Sequence, residues 1–225
     1  MPESCVLVIG ASRGIGLELV RQYRAEGARV TGTARDEAGL AALRALGASA
    51  LRLDVADPVS VSGLAWQLDG AAFDTVVVNA GVYGPDGLSA PQPPTLADFD
   101  RVMRTNVLGP MQVVPQLADA LAPAARLGLI TSRMGSIGAR SNASGWLYRA
   151  SKAAANSVLR DLAFALEGRA LCVALHPGWV RTDMGGPGAD LSVEQSAAGL
   201  RAVLAGLTPA QHGGFLDQDG QPLPW

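Results

Sequence analysis

The chain has 225 residues, a length that suits one α/β domain. Hydrophobic residues make up 48% and charged residues 17%, which supplies a large core and excludes the charge-rich make-up of a disordered chain. A formal net charge of -2 without a run of Lys or Arg argues against a nucleic-acid surface, and no apolar run reaches the roughly 18 residues of a membrane span.

In chain order, apolar runs of strand length alternate with helical patterns. The expected strands are Cys5–Ile9, Arg29–Ala34, Ala50–Leu53, Thr75–Val78, Leu127–Thr131, Ala170–His176 and a short Gly214–Leu216. The expected helices are Gly14–Glu26, Asp36–Leu46, Pro58–Gln67, Thr95–Leu121, Trp146–Glu167 and Val193–Gly206. Asp57 before Pro58 reads as an N-cap with proline at the first helical position, and Gly27 and Gly47 suit left-handed caps. Strands alternating with helices predict right-handed βαβ units. The fold class is therefore α/β: one doubly wound domain over 1–225, a seven-stranded parallel sheet with helices on both faces. Its ligand site lies beyond the C-terminal strand ends. Two Gly- and Pro-rich segments at that edge, near 83–94 and 183–192, are expected to border a substrate. Cys5 and Cys172, each in an apolar run, read as buried thiols. The N-terminus lacks a basic region followed by a long apolar stretch, so a cytoplasmic protein is the default expectation.

The first strand runs into Gly10-Ala-Ser12-Arg13-Gly14-Ile15-Gly16, and a helix follows. Glycines let the backbone approach a diphosphate, and a helix N-terminus offers unpaired N–H groups and a positive dipole end. An acid at the end of the second strand would bind adenosine ribose hydroxyls and repel a 2′-phosphate. Ala34 stands in that place, and Arg35 follows it. Together with Arg13 this favours NADP(H), since two guanidinium groups suit a phosphate. Asp36 remains open, either as a displaced ribose ligand or as a helix N-cap.

Tyr148-Arg-Ala-Ser-Lys152 falls early in a helical pattern, and residues four apart share a helix face. The ammonium is expected to lower the pKa of the phenol and make it a usable acid/base. Ser132, after the fifth strand, is placed to hydrogen-bond an oxygen on which charge develops.

With these pieces the chain resembles the short-chain dehydrogenase/reductase family over nearly its whole length, in a branch of C-factor-like proteins and small carbonyl reductases. The glycine turn, Asp54-Val55, Asn79-Ala80-Gly81, Thr-Asn106-Val, Ile-Thr-Ser132, Tyr148-x-x-x-Lys152 and Pro177-Gly178-Trp-Val180-x-Thr182 occur in the family's order. The resemblance implies a Rossmann-type fold and hydride transfer between a nicotinamide and a small carbonyl or alcohol substrate. By the same token Tyr148 is the acid/base and Ser132 positions the carbonyl. Asn106 holds a water that links Lys152 to solvent. Asp54 and Val55 touch adenine, and Asn79, Ala80 and Gly81 line the cofactor cleft. Val180 and Thr182, beside Pro177 and Gly178, reach the carboxamide. A homo-oligomer is expected, with the helices around Thr95–Leu121 and Trp146–Glu167 pairing and Ala153, Ala154 and Ala155 permitting close contact.

Two departures stand out. The family's usual serine-to-tyrosine spacing would fall on Gly135. Ser132 is preferred to Ser136 because it keeps the strand-end motif, which assigns the extra length to Arg140–Gly145. Val78 replaces the first Asn of Asn-Asn-Ala-Gly. His176 reads as structural, His212 shows no evident partner, and no Cys/His/Asp cluster has metal-ligand spacing.

Overall fold

The computed structural model describes residues 4–85 and 87–225; the expected loop 83–94 is thus described except at position 86. Seven strands form one parallel sheet: β1 (Cys5–Ile9), β2 (Arg29–Ala34), β3 (Ser49–Arg52), β4 (Phe73–Val78), β5 (Leu121–Ile130), β6 (Ala170–His176) and β7 (Gly214–Asp217). Their order is β3-β2-β1-β4-β5-β6-β7, and every neighbouring pair is parallel. The helices are α1 (Gly14–Ala25), α2 (Glu37–Ala45), α3 (Pro58–Ser62), α4 (Leu64–Gln67), α5 (Leu96–Met103), α6 (Gly109–Gln116), α7 (Trp146–Ala165) and α8 (Val193–Ala205).

Period-two alternation explains the layering. In β1, Val6 and Val8 face a core with Leu19 of α1, Leu43 of α2 and Leu200 of α8. Leu7 and Ile9 face the other core, with Leu64 of α4, Val113 of α6 and Leu159 of α7. A strand buried on both faces reads as a continuous apolar run, as Cys5–Ile9 does. Strand order reverses between β1 and β4, which opens a crevice at their C-terminal ends.

Local signals are met where side-chain chemistry dictates them. Asp57 accepts from Val59 N, Asp36 caps α2 by accepting from Gly39 N, and Gly27 and Gly47 adopt φ of +85° and +71°. Three stretches differ from expectation. The helix expected over Pro58–Gln67 is two short helices meeting at Gly63. The helix expected over Thr95–Leu121 is interrupted by a wide π-turn at Arg104–Leu108, and α6 closes after Pro115, whose ring removes a helix donor. Strand β5 begins at Leu121, six residues ahead of Leu127, through an irregular register in which Ala124 has φ +58°. Of the consecutive alanines 153–155 on α7, Ala155 is in the core, and Ala153 and Ala154 remain half-buried.

Candidate active site

A cleft of about 450 Å³ runs along the C-terminal edge of the sheet, from the β1–α1 turn to the first turn of α7. At the turn, main chain sets the shape. Gly10 has φ +82°, and a Cβ there would lie 2.6 Å from Ala80 Cα; one at Gly16 would lie 2.2 Å from Gly10 O. The turn is tied down from two sides, because Gly10 N donates to Thr33 Oγ1 at 2.9 Å and Asn79 Nδ2 donates to Gly10 O at 2.7 Å. Ser12, Arg13, Gly14 and Ile15 border the cleft, with Arg35, Asp54, Val55, Ala80 and Gly81 along its floor and far wall. The result is a cradle at a helix N-terminus that side chains do not fill, as a diphosphate requires.

The groups that read a ribose are resolved by their contacts. The Asp36 carboxylate is engaged as the α2 cap at 2.8 Å from Gly39 N. Arg35 is exposed at the cleft, and its carbonyl accepts from Arg52. Arg13 reaches across the opening to Asp183 at 3.1 Å, and both side chains are exposed.

At the other end, α7 starts from Gly145 at φ +62° and presents Tyr148 and Lys152 one turn apart, both buried. Lys152 Nζ donates to Ile130 O at 3.0 Å and sits 5.7 Å from the Tyr148 ring centroid. Here the structure corrects the electrostatic expectation. Burial pushes the Tyr148 phenol up to about 12, against the opposing pull of the Ser132 hydroxyl that faces it. Burial also brings Lys152 down to about 8. Dehydration disfavours the charged form of each group, and it dominates both shifts.

Ser132 lies two residues beyond β5 and caps the short turn Arg133–Gly135, accepting from Met134 N at 3.1 Å. Ser136 is fully buried and faces its own loop, accepting from Ala139 N at 3.0 Å. Between them, Gly135 lets the chain lie on α7, where a Cβ would sit 2.7 Å from Lys152 C. The segment 140–145 docks against the loop after β4: Gly145 N donates to Leu88 O, and the Arg149 guanidinium donates to Ser144 O and Asn142 Oδ1.

Several expected site residues stand behind the wall rather than on it. Asn106, brought in by the π-turn, grips the Val82 main chain, and the wall in front of it is formed by the segment Asn79-Ala80-Gly81. Gly178 has φ +83° and packs on Leu191, and Val180 is buried and bridges to Leu191, whereas Pro177, Arg181 and Thr182 border the cleft. Two contributors escaped the sequence reading, Thr33 and Arg149, while Tyr83 and Asp183 head the two loops expected to border a substrate. His212 does have partners, since its Nδ1 accepts from Cys172 N and its Nε2 lies 3.0 Å from Ala163 O. Burial holds His176 neutral by bringing its pKa down to about 4. Among the described residues there is no metal-binding cluster and no helix long and apolar enough to cross a membrane.

Known proteins resemble the chain in both sequence and fold. The family profile described as short chain dehydrogenase matches residues 4–190. The C-signal protein of Myxococcus xanthus is 39% identical over 155 residues, covering 68% of this chain and 92% of that one. A short-chain dehydrogenase/reductase from Burkholderia multivorans, solved with bound NADP, superposes with a TM-score of 0.90 at 35% identity, covering 100% of both chains. A carbonyl reductase from Pseudomonas aeruginosa PAO1 in complex with NADP gives a TM-score of 0.85 at 34% identity, covering 99% of this chain and 100% of the other.

Proposed function

The chain belongs to the short-chain dehydrogenase family of oxidoreductases, and we propose that it uses NADP(H) to interconvert a small carbonyl compound and its alcohol. The observation that carries this reading is the pairing of Tyr148 and Lys152 at one end of a cleft, with the Ser132 hydroxyl set behind against Tyr148, and a glycine cradle at the other end. The cradle fits a diphosphate. Arg13 and Arg35, with Ala34 in the acid's place and Asp36 engaged as a cap, suit a 2′-phosphate. The solved relatives that hold NADP support the same choice.

NADPH supplies the hydride when bound; the rest falls to the chain. In the reductive direction Ser132 donates a hydrogen bond to the carbonyl oxygen as charge grows there. The Tyr148 hydroxyl transfers its proton to that oxygen, and the product is the alcohol. A phenol held near 12 carries its proton at neutral pH, which is the state an acid must have. Lys152, near 8, still carries its proton for the most part at neutral pH, one helical turn from the phenol. Asn106, hydrogen-bonded to Ser151 beneath Tyr148, braces the segment opposite.

The test is a panel of aldehydes and ketones followed through NADPH and NADH absorbance. Turnover with NADPH is expected, and Tyr148→Phe should lower kcat by roughly 100- to 10,000-fold while NADPH still binds. Near-normal turnover by that variant would sink the assignment. The similarity to C-signal favours a second reading, a nucleotide-binding signalling protein with little turnover. It predicts NADPH binding with no oxidation across the same panel.

A further inference from the structure

The loop after β4 carries Tyr83, to which the proton transfer gives no role. Its ring lies on that of Tyr148, with centroids 4.7 Å apart and planes tilted by 37°. Contacts from two sides hold it there. Behind it, Asn106 clamps the preceding residue: Val82 N donates to Asn106 Oδ1 at 2.8 Å, and Asn106 Nδ2 donates to Val82 O at 2.8 Å. The same Nδ2 donates to Ser151 Oγ at 2.9 Å, and Ser151 Oγ donates to Tyr148 O at 2.8 Å, so the clamp is anchored on α7. In front, the Tyr83 hydroxyl lies against Gly145. A Cβ at Gly145 would sit 2.7 Å from that hydroxyl and 2.9 Å from Met134 Cε. The slot that admits Tyr83 exists because residue 145 has no side chain.

We propose that Tyr83 is a positioning residue for the acid/base, its ring fixing the Tyr148 side chain and shielding it from water. This rests on Tyr148 being the proton donor. The groups that face the phenol are Ser132, Tyr83 and, across the ring, Lys152. Ser132 favours the phenolate, and Lys152 is engaged by Ile130 O. Tyr83 works the other way: its own ionised hydroxyl would repel a phenolate on Tyr148, and its ring against that of Tyr148 removes water that a phenolate needs. Asn106 then serves the chemistry at one remove: it aims Tyr83, and Tyr83 covers Tyr148.

The chain has three tyrosines, so Tyr148 ionisation can be followed directly. Phenolate absorbance is titrated in each protein and in its Tyr148→Phe partner, and the difference is the Tyr148 curve. Tyr83→Ala should lower the midpoint by about one pH unit or more, since burial shifts of this size are common. Tyr83→Phe keeps the stacked ring and removes only the like charge, so it should lower the midpoint by less than Tyr83→Ala does. Turnover of 4-nitrobenzaldehyde with NADPH gives a second readout. An acid must be protonated, so kcat/KM falls as pH rises through the phenol's pKa, and a lowered pKa moves that fall to lower pH. A Tyr83→Ala protein with the wild-type midpoint overturns the proposal. Full turnover by Tyr148→Phe alone would instead remove the acid/base assignment, and the absorbance titration would still report whether Tyr83 shields the phenol.

Discussion

At the β1–α1 turn the cleft is shaped by main chain: a Cβ at Gly10 or Gly16 would meet backbone atoms at 2.6 or 2.2 Å, and Thr33 and Asn79 tie the turn to its neighbours. At the α7 end it is shaped by the side chains of Tyr148 and Lys152, which are backed by groups from separate segments, Tyr83 after β4, Asn106 in the π-turn and Ser132 after β5. The first arrangement depends on spacing and on missing side chains, so a substitution there disturbs folding and binding together. The second depends on which functional groups arrive, so its members can be changed one at a time while the sheet stays intact.

The sharpest way to test that division uses two serines four residues apart. Ser132→Ala should lower kcat by on the order of 100-fold, as loss of a donor to a developing oxyanion does, beside a stability loss of about 1 kcal/mol for the cap on Met134 N. Ser136→Ala should show the stability loss alone. Its hydroxyl is buried and accepts from Ala139 N, so the variant should lose about 1 kcal/mol of stability with kcat within a few fold. Steady-state kinetics and thermal melts on the same preparations read both effects. The opposite pattern would place the catalytic serine in the loop.

The same contrast governs how much could be read from the sequence. The turn was legible because glycines at a fixed spacing between a strand and a helix mark a backbone that something must approach closely. The strands β1, β2 and β6 were legible to the residue, being short apolar runs with polar punctuation on either side. The π-turn at Arg104–Leu108 was not, since it keeps the helical pattern while rotating Asn106 inward. The start of β5 was hidden by Pro123 and the left-handed Ala124, which break the alternation a strand shows. Tyr83 and Arg149 act through loops that meet only in three dimensions, and no spacing announces that. The depressed phenol pKa expected from a lysine one turn away failed for a related reason: the Tyr-x-x-x-Lys spacing carries proximity, whereas the pKa depends on burial that the whole fold creates.

Side chains matter at the turn as well, and Arg35 tests how far. It is exposed at the cleft, and its main chain is held by Arg52. Arg35→Ala should therefore leave the fold alone. For a proposed 2′-phosphate ligand, loss of one charge-assisted contact costs about 1.5 kcal/mol at an exposed site, so the Kd for NADPH should rise roughly tenfold. The Kd for NADH, which lacks the phosphate, should stay put. Calorimetric titration with both cofactors distinguishes this from a general loss of binding, which would make Arg35 a structural residue.

The smallest effect concerns Asp183, which joins the turn to the segment after β6. Its carboxylate holds Arg13 at 3.1 Å across the opening of the cleft, and both side chains are more than three-quarters exposed at 76% and 79%. The partner of Arg13 in the free protein is thus an anion in competition with the phosphate proposed to bind there. Asp183→Asn removes the competing charge and keeps the shape. An exposed ion pair contributes about 0 to 1 kcal/mol, so NADPH should bind up to about fivefold tighter, and NADH should be unaffected. The gain should shrink as salt is raised, because screening already weakens the pair in the wild type. It should vanish in an Arg13→Ala background, where Asp183 has no guanidinium to withhold. Weaker NADPH binding by Asp183→Asn would reverse the interpretation: Asp183 would then be holding Arg13 in the posture that receives the phosphate, and the turn would depend on a side-chain network as the α7 end does.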